Sequence, residues 1–275
     1  MSKTKKKNTN RGNATKIALP LTIVLIVVLC IFIYVKFIRK DNSSNNFTGL
    51  NAVIVDQLYS DYPNDNFLET VSKDLEKYGF NVVIYKGEQV DVTLFKNLPS
   101  KNPKLLIIRA HSGISSKEGT IIDRTYIFTN EKYSSLKYPT EQLKEELLPA
   151  KTSETSQGYF AIGPKFITNV MKGNFHSTVV LMAGCTGLHI DDLARAFIEK
   201  GAMCYLSWDA SVDLGYMDEA VLNFIPHLIN PKNKVKDAVE TTMKEIGPDK
   251  TYNAFLKYYP PPAGDNTLRE LITGE

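Results

Sequence analysis

The chain has 275 residues, of which 43% are hydrophobic and 23% are charged, values typical of one globular domain with additional terminal sequence. Its net charge of +3 is unevenly distributed, because residues 1–40 contain nine Lys or Arg and no acidic residue. Residues 41–275 carry 24 basic and 30 acidic side chains, a net charge of −6, which disfavours a nucleic-acid-binding domain and predicts no nucleic-acid partner.

The N-terminal part of the chain contains a long apolar run. Residues 17–35 include no charged residue, and these 19 positions are enough to cross a bilayer core about 30 Å thick. The run is longer than the apolar part of a cleaved signal peptide, so we predict a transmembrane signal anchor over residues 17–38. Six Lys or Arg precede the run and three follow it. The positive-inside rule therefore places the basic tail, residues 1–16, in the cytoplasm of a single-pass cell-membrane protein whose main domain is extracellular.

A polar linker at residues 39–50 precedes the main domain, residues 51–275, in which short β-branched runs alternate with helical periods. The pattern predicts strands at 52–55, 82–85, 105–109, 179–182 and 203–206, and helices at 64–78, 92–98, 191–200 and 216–228. Wholly apolar strands separated by helices predict an α/β domain: a three-layer α/β/α sandwich with a mainly parallel sheet covered on both faces.

The alternation is interrupted between the third and fourth strands. Residues 114–176 are predicted to be an insertion, with β segments at 120–128 and 159–162 and a helix near 164–171. Residues 129–157 are rich in Lys, Glu, Ser and Thr, which favours a mobile surface excursion. The tail, residues 247–275, contains several prolines and is predicted to be less regular.

Two reactive side chains follow predicted strands. The third strand continues into His111, Ser112 and Gly113, and the fourth continues through a glycine into Cys185. Ligands bind beyond the carboxyl ends of parallel strands, so neighbouring strands would bring the thiol and the imidazole to one edge of the sheet. Flanking glycines permit close approach of a peptide, and the N–H groups of Gly113 and Cys185 are candidates for an oxyanion hole. We also expect the start of the next helix to favour a Cys185 thiolate.

Each of these residues also has a structural interpretation. Free cysteines are most often small buried hydrophobic residues, and a histidine at a strand end can simply be hydrogen-bonded in place. Cys185 nevertheless follows its apolar run and lies between two glycines, a position that favours a nucleophile. The sequence contains no C-x-x-C or H-E-x-x-H spacing, so it predicts no metal site.

The order of these motifs resembles that of the caspase-like clan of cysteine peptidases, which includes caspases, legumain, clostripain, gingipains, separase and the CHAT domains. Residues 193–202 (LARAFIEKGA) and 205–213 (YLSWDASVD) are similar to the CHAT and separase pattern, in which a helix ending in Gly-Ala leads to a strand, a Trp and nearby acids. The likeness covers residues 50–240. The chain departs from the family pattern at Gly184, in lacking the acid after Cys185, and in its long insertion.

This resemblance implies a caspase-like fold and a polypeptide substrate. Cys185 would attack a peptide carbonyl and His111 would protonate the leaving amine. Trp208, Asp209 and Asp213 would help to form the pocket for the residue before the cut, and the two carboxylates would favour Arg or Lys there. We expect no cofactor, because the calcium dependence of some clan members has no matching loop in this sequence.

Two alternatives to a peptidase remain open, and a third is disfavoured. The same sandwich could serve as a non-catalytic surface binding or sensor domain, or as an inactive relative that keeps both residues. A flavodoxin-like or nucleotide-binding sheet is disfavoured, because no Gly-rich phosphate loop follows the first strand at residues 56–63.

Overall fold

A computed structural model describes residues 50–117, 120–153 and 155–274, with only the backbone described for residues 115–117 and 120–123. The predicted cytoplasmic tail, membrane anchor and nearly all of the linker lie outside the described residues. Among the residues that are described, no helix is both long enough and apolar enough to cross a bilayer.

Two sheets contain the strands of the described chain. The strands are β1 (Asn51–Asp56), β2 (Asn81–Lys86), β3 (Pro103–Arg109), β4 (Ser112–Lys117), β5 (Thr120–Lys132), β6 (Leu147–Ala150), β7 (Tyr159–Ile162), β8 (Thr178–Ala183), β9 (Ala202–Trp208) and β10 (Leu256–Tyr259). The main sheet has the order β10-β9-β8-β3-β1-β2, and the second sheet has the order β4-β5-β7-β6. In the main sheet β10 runs antiparallel to β9, and the other neighbours are parallel.

Helices cover both faces of the main sheet. The helices of the described chain are α1 (Asp65–Tyr78), α2 (Val92–Lys96), α3 (Pro139–Leu143), α4 (Pro164–Asn169), α5 (Asp192–Glu199), α6 (Leu214–Ile229), α7 (Val235–Ile246) and α8 (Leu268–Thr273), and all except α3 contribute to the two cores. One core lies under α1, α6, α7 and α8, and the other lies under α2, α4 and α5. The main sheet with its helices is therefore a three-layer α/β/α sandwich, as the apolar strand pattern predicts.

The second sheet accounts for most of the predicted insertion. Ile127, Leu147, Phe160 and Ile162 of this sheet pack into the core shared with α2, α4 and α5. The predicted mobile excursion at 129–157 instead contains the end of β5, α3 and β6. β5 and β7 correspond to the β segments predicted at 120–128 and 159–162, whereas β4 and β6 were not predicted.

The C-terminal tail is more regular than its prolines suggest. β10 extends the main sheet, and α8 buries Leu268, Leu271 and Ile272 in the core under α6 and α7. Thr267 caps α8 by accepting a hydrogen bond from the Glu270 N–H at 3.2 Å. The prediction of a less regular tail was wrong, because short capped elements can be stabilised by packing alone.

Candidate functional site

His111 and Cys185 lie at the carboxyl ends of two neighbouring strands. β3 and β8 are parallel partners, with Arg109 opposite Ala183, and the Ala110 N–H donates to the Ala183 carbonyl at 3.0 Å. Both reactive residues therefore leave the sheet at the same edge. They line one cavity of about 210 Å³, together with Leu58, Tyr62, Ala110, Gly184, Val212, Leu214 and Met217.

Gly184 allows the two strand ends to approach closely. A Cβ at this position would lie 2.5 Å from the Ala110 carbonyl oxygen and 2.6 Å from Ser112 Oγ, both far inside van der Waals contact. Ser112 also links the two strand ends, because its hydroxyl donates a hydrogen bond to the Cys185 carbonyl at 2.6 Å. Any larger residue would push the Cys185 loop away from the His111 loop.

The turn after Cys185 is strained. Thr186 has a φ of 56°, a left-handed conformation that is rare for a β-branched residue. The turn is held against the end of β9, because the Thr186 N–H donates to the Ala210 carbonyl at 2.9 Å and a Cβ at Gly187 would collide with Ser207. Strained residues that the surrounding structure holds in place are concentrated at functional sites.

The environment of the Cys185 thiol favours its protonated form. Its Sγ lies 3.7 Å from the Val212 carbonyl oxygen, to which it donates a weak hydrogen bond. Burial raises the pKa of Cys185, a backbone hydrogen bond of Val212 opposes that rise, and the negative charge of Asp249 adds to it. The expected helix effect is absent, because α5 begins only at Asp192 and the net pKa change is upward.

His111 is fixed through its backbone and flanked by two aromatic rings. Its N–H donates to Gln57 Oε1 at 2.9 Å, and Gln57 Nε2 donates to Asn130 Oδ1 at 2.6 Å, which ties the strand end to β5. The imidazole packs edge-on against Tyr62, with centroids 6.1 Å apart, and against Phe128 at 5.9 Å. The imidazole is thereby confined to the region between these two rings.

The environment of the His111 imidazole favours its neutral form. Burial lowers the pKa of His111; the Asp61 carboxylate opposes this effect and the Arg109 guanidinium reinforces it. A neutral imidazole beside a neutral thiol is a pair in which the base can accept a proton when the thiol attacks, rather than an ion pair formed in advance.

A buried ionic cluster lies directly behind His111. Arg109 makes a bidentate ion pair with Asp218, at 2.7 Å from Nε and 2.8 Å from Nη2, and its Nη1 lies 2.8 Å from Asp56 Oδ1. The same Nη1 donates to the Tyr62 carbonyl at 3.2 Å, and Asn64 Nδ2 donates to Asp218 at 2.9 Å. One guanidinium thus connects β1, β3, α6 and the loop that carries Tyr62.

The backbone N–H groups near His111 differ in whether they take part in the β4–β5 ladder. Phe128 N–H donates to the His111 carbonyl at 2.9 Å, and Ser112 and Gly113 are opposite Ile127 and Tyr126 in the β4–β5 ladder. Alternation in an antiparallel ladder then directs the Gly113 N–H towards Tyr126 and the Ser112 N–H away from β5. The Gly113 N–H, which the sequence suggested for an oxyanion hole, is therefore directed into the β4–β5 ladder, whereas Cys185 lines the smaller cavity.

Asp209 and Asp213 do not line the cavity shared by His111 and Cys185. Asp209 Oδ2 lies 2.7 Å from Lys257 Nζ, and its Oδ1 accepts from the Phe255 N–H at 2.8 Å. Asp213 caps α6 by accepting from the N–H groups of Gly215 at 2.9 Å and Tyr216 at 3.1 Å. Both carboxylates stabilise local backbone, so the predicted preference for a basic residue loses its geometric support.

Trp208 and the segment after it are held in place by the C-terminal region. Trp208 is fully buried in the core under α6 and α7, not in the wall of the cavity. Asp249 is buried and accepts hydrogen bonds from the N–H groups of Asp213 at 3.0 Å, Thr251 at 2.9 Å and Tyr252 at 2.6 Å. This carboxylate fixes the start of α6, and with it the apolar wall of the cavity.

A second, larger cavity begins at His111 and follows the second sheet. Its volume is about 650 Å³, and it is lined by residues of β4, β5, β6 and β7, among them Gly113, Tyr126, Phe128, Leu148, Ala150 and Ala161. His111 lines both cavities, whereas Cys185 lines only the smaller one.

Several site residues have weak sequence signals. Gln57 and Tyr62 lie between β1 and α1, where neither a hydrophobic period nor a motif marks them. Arg109 is the exception, because a charged residue at the end of an otherwise apolar strand must be paired if it is buried. Among the described residues, no group of three or more His, Cys, Asp or Glu is arranged to hold a metal ion.

Comparisons with known proteins give only distant structural similarities. No family model and no curated protein match the chain. A flavodoxin of Streptococcus pneumonia TIGR4 is similar over 64% of this chain and 95% of that chain, with 13% identity and a TM-score of 0.30. A short-chain flavodoxin associated with a PDU bacterial microcompartment is similar over 56% of this chain and 76% of that chain, with 14% identity and a TM-score of 0.25. At these scores, neither similarity indicates an activity or a ligand for this chain.

Proposed function

We propose that the protein is a membrane-anchored cysteine peptidase of the caspase-like kind, with Cys185 as nucleophile and His111 as acid and base. The observation that carries this proposal is that the thiol and the imidazole line one cavity at the carboxyl ends of two adjacent parallel strands. A bound peptide bond can then present its carbonyl carbon to Sγ and its amide nitrogen to the imidazole.

The chemistry follows from the protonation states. The neutral imidazole accepts the thiol proton as Sγ adds to the carbonyl carbon, and the new oxyanion accepts hydrogen bonds from the N–H groups of Ser112 and Cys185. His111 then donates its proton to the amide nitrogen as the carbon–nitrogen bond breaks. The thioester that remains is hydrolysed by a water molecule from which His111 removes a proton, and this step regenerates the thiol.

The lining of the smaller cavity supports an apolar residue before the cut. Leu58, Val212, Leu214 and Met217 contribute to its walls. A volume of about 210 Å³ is below the roughly 300–1,000 Å³ of small-molecule sites and suits a single side chain. A cationic side chain placed there would lose its hydration without gaining a carboxylate partner from Asp209 or Asp213.

A non-catalytic binding domain is the second candidate function. The raised pKa of Cys185 favours it, because a thiol that remains protonated is a poor nucleophile until a base removes its proton. In that case the same cavity would bind an apolar side chain of a partner without turnover.

Active-site probes test the choice between the two functions. The full chain in detergent would be treated with leucyl, arginyl and aspartyl acyloxymethyl ketones, and labelling would be measured by mass spectrometry. We expect labelling of Cys185, fastest with the leucyl probe, lost in Cys185→Ala and reduced at least about 100-fold in His111→Ala. Cys204→Ala, which removes the fully buried cysteine of β9, is the matched control and should retain labelling. Equal labelling of wild type and His111→Ala would contradict a catalytic pair and support the binding domain.

A further inference from the structure

The cavity along the second sheet begins at the predicted proton donor. The imidazole of His111 lies between the rings of Tyr62, which lines the smaller cavity, and Phe128, which lines the larger one. His111 is also the only residue common to the linings of these two cavities. A polypeptide that fills both must therefore pass the imidazole.

Building on the proposed peptidase function, we propose that the larger cavity binds the residues that follow the cut, through their apolar side chains. The proposed chemistry sets the direction in which the substrate chain crosses the site. Sγ of Cys185 bonds to the carbonyl carbon of the residue before the cut, and His111 protonates the nitrogen of the residue after it. Because the larger cavity is reached past His111 and is not lined by Cys185, it receives the leaving half of the substrate.

The floor of this cavity is one face of the second sheet. Phe128 is paired with Ala161, and Ala161 is paired with Leu148, so the three side chains lie on one face. Residues on the opposite face, such as Ile127 and Ile162, are packed in the core. Here the second sheet is therefore apolar on both faces, and the face with Phe128, Ala161 and Leu148 borders the larger cavity.

The size of the cavity also fits a peptide segment. A volume of about 650 Å³ is three times that of the smaller cavity and lies in the middle of the range for ligand sites, roughly 300–1,000 Å³. It therefore has room for about two or three residues, and an apolar floor selects among them by their hydrophobic side chains.

A peptide library tests this assignment. Full-length protein in detergent would be incubated with peptides from a proteome digest, and the positions on both sides of each new cut would be identified by mass spectrometry. In Leu148→Asp we expect about a tenfold loss of cleavage at sites with apolar residues in the first three positions after the cut. Leu143→Asp is the matched control, because Leu143 is 87% exposed and lines neither cavity. Ala150→Asp is a second variant on the same floor.

Labelling with the leucyl acyloxymethyl ketone separates the possible outcomes, because this probe has no amino-acid residue after the reactive carbonyl. Unchanged labelling together with the altered preference after the cut supports the proposal. Two outcomes overturn it. One is that both floor variants lose probe labelling and peptide cleavage to the same extent. The other is that the variants cleave with an unchanged preference for the residues after the cut. If Cys185→Ala cleaves the library as wild type does, the proposed peptidase function fails and this inference fails with it.

Discussion

The edge of the main sheet uses polar residues in two different ways. At the ends of β3 and β8, Arg109 is buried with its carboxylates, and the reactive groups in front of it, His111 and Cys185, are left without direct ionic partners. After β9, Asp209 and Asp213 are engaged with neighbouring backbone N–H groups, and Asp209 also pairs with a lysine at the surface. The first region therefore has groups available for chemistry, and the second supports the loop that shapes the cavity.

The two regions also differ in how far their ion pairs are exposed to solvent. The Arg109 cluster is excluded from water, so each charge depends on its partners. The Asp209–Lys257 pair has an exposed lysine and is screened by solvent. The same type of ion pair is thus expected to matter greatly in one region and little in the other.

Substitution of Arg109 should have the largest effect of the changes that compare the buried ion pair with the exposed one. Arg109→Met leaves Asp56 and Asp218 buried without their cation, so we expect the free energy of unfolding to fall by about 3–5 kcal/mol. Denaturant titration measures this loss. Lys257→Met, at the surface pair after β9, is the matched control and should cost less than about 1 kcal/mol. Similar losses in both variants would show that the two regions do not differ as their burial implies.

The pH dependence of Cys185 tests the protonation states in the first region. Burial raises the pKa of its thiol, so alkylation by iodoacetamide, measured with Cys185→Ser as blank, should rise with a midpoint above the value of about 8.5 for an ordinary cysteine. Each pH unit below that midpoint should lower the alkylation rate about tenfold. A midpoint below pH 7 would instead indicate a thiolate–imidazolium pair formed before substrate binds.

Labelling by the peptide probe should have a different pH profile. In the proposed mechanism labelling requires His111 as a neutral base, and burial lowers the pKa of this imidazole, so the neutral form persists as the pH falls. The labelling rate should therefore fall at low pH with a midpoint below about 6.5, the pKa of an ordinary histidine. Substitution of His111 by Ala should remove this fall at low pH and most of the labelling rate.

The sequence predicts the main sheet more accurately than the second sheet. β1, β3 and β8 are apolar on both faces, so their runs stand out against polar helices and loops. The order of motifs after β3 and β8 correctly predicted that His111 and Cys185 share one edge. The second sheet was only partly visible in the sequence, because β4 contains one large apolar residue, Ile114, and β6 is only four residues long.

The walls of the site were harder to predict than its reactive residues. Val212 and Met217 line the cavity because Asp249, nearly forty residues further along the chain, holds the start of α6 in place. No local pattern reveals such a long-range contact. The carboxylates of Asp209 and Asp213 lie next to the site in sequence, but their hydrogen bonds turn them towards other partners.

Asp213→Ala is the smallest of these perturbations and tests the role of the region after β9. The substitution removes the cap of α6, so we expect a loss of about 1 kcal/mol in the free energy of unfolding, because the N–H groups of Gly215 and Tyr216 lose their acceptor. The ratio of leucyl to arginyl probe labelling should not change, since the carboxylate does not line the cavity. Asp213→Asn retains a capping side chain while removing the charge, and should restore most of the stability. A selective loss of arginyl labelling in both variants would return Asp213 to the substrate pocket and remove the distinction between the two regions.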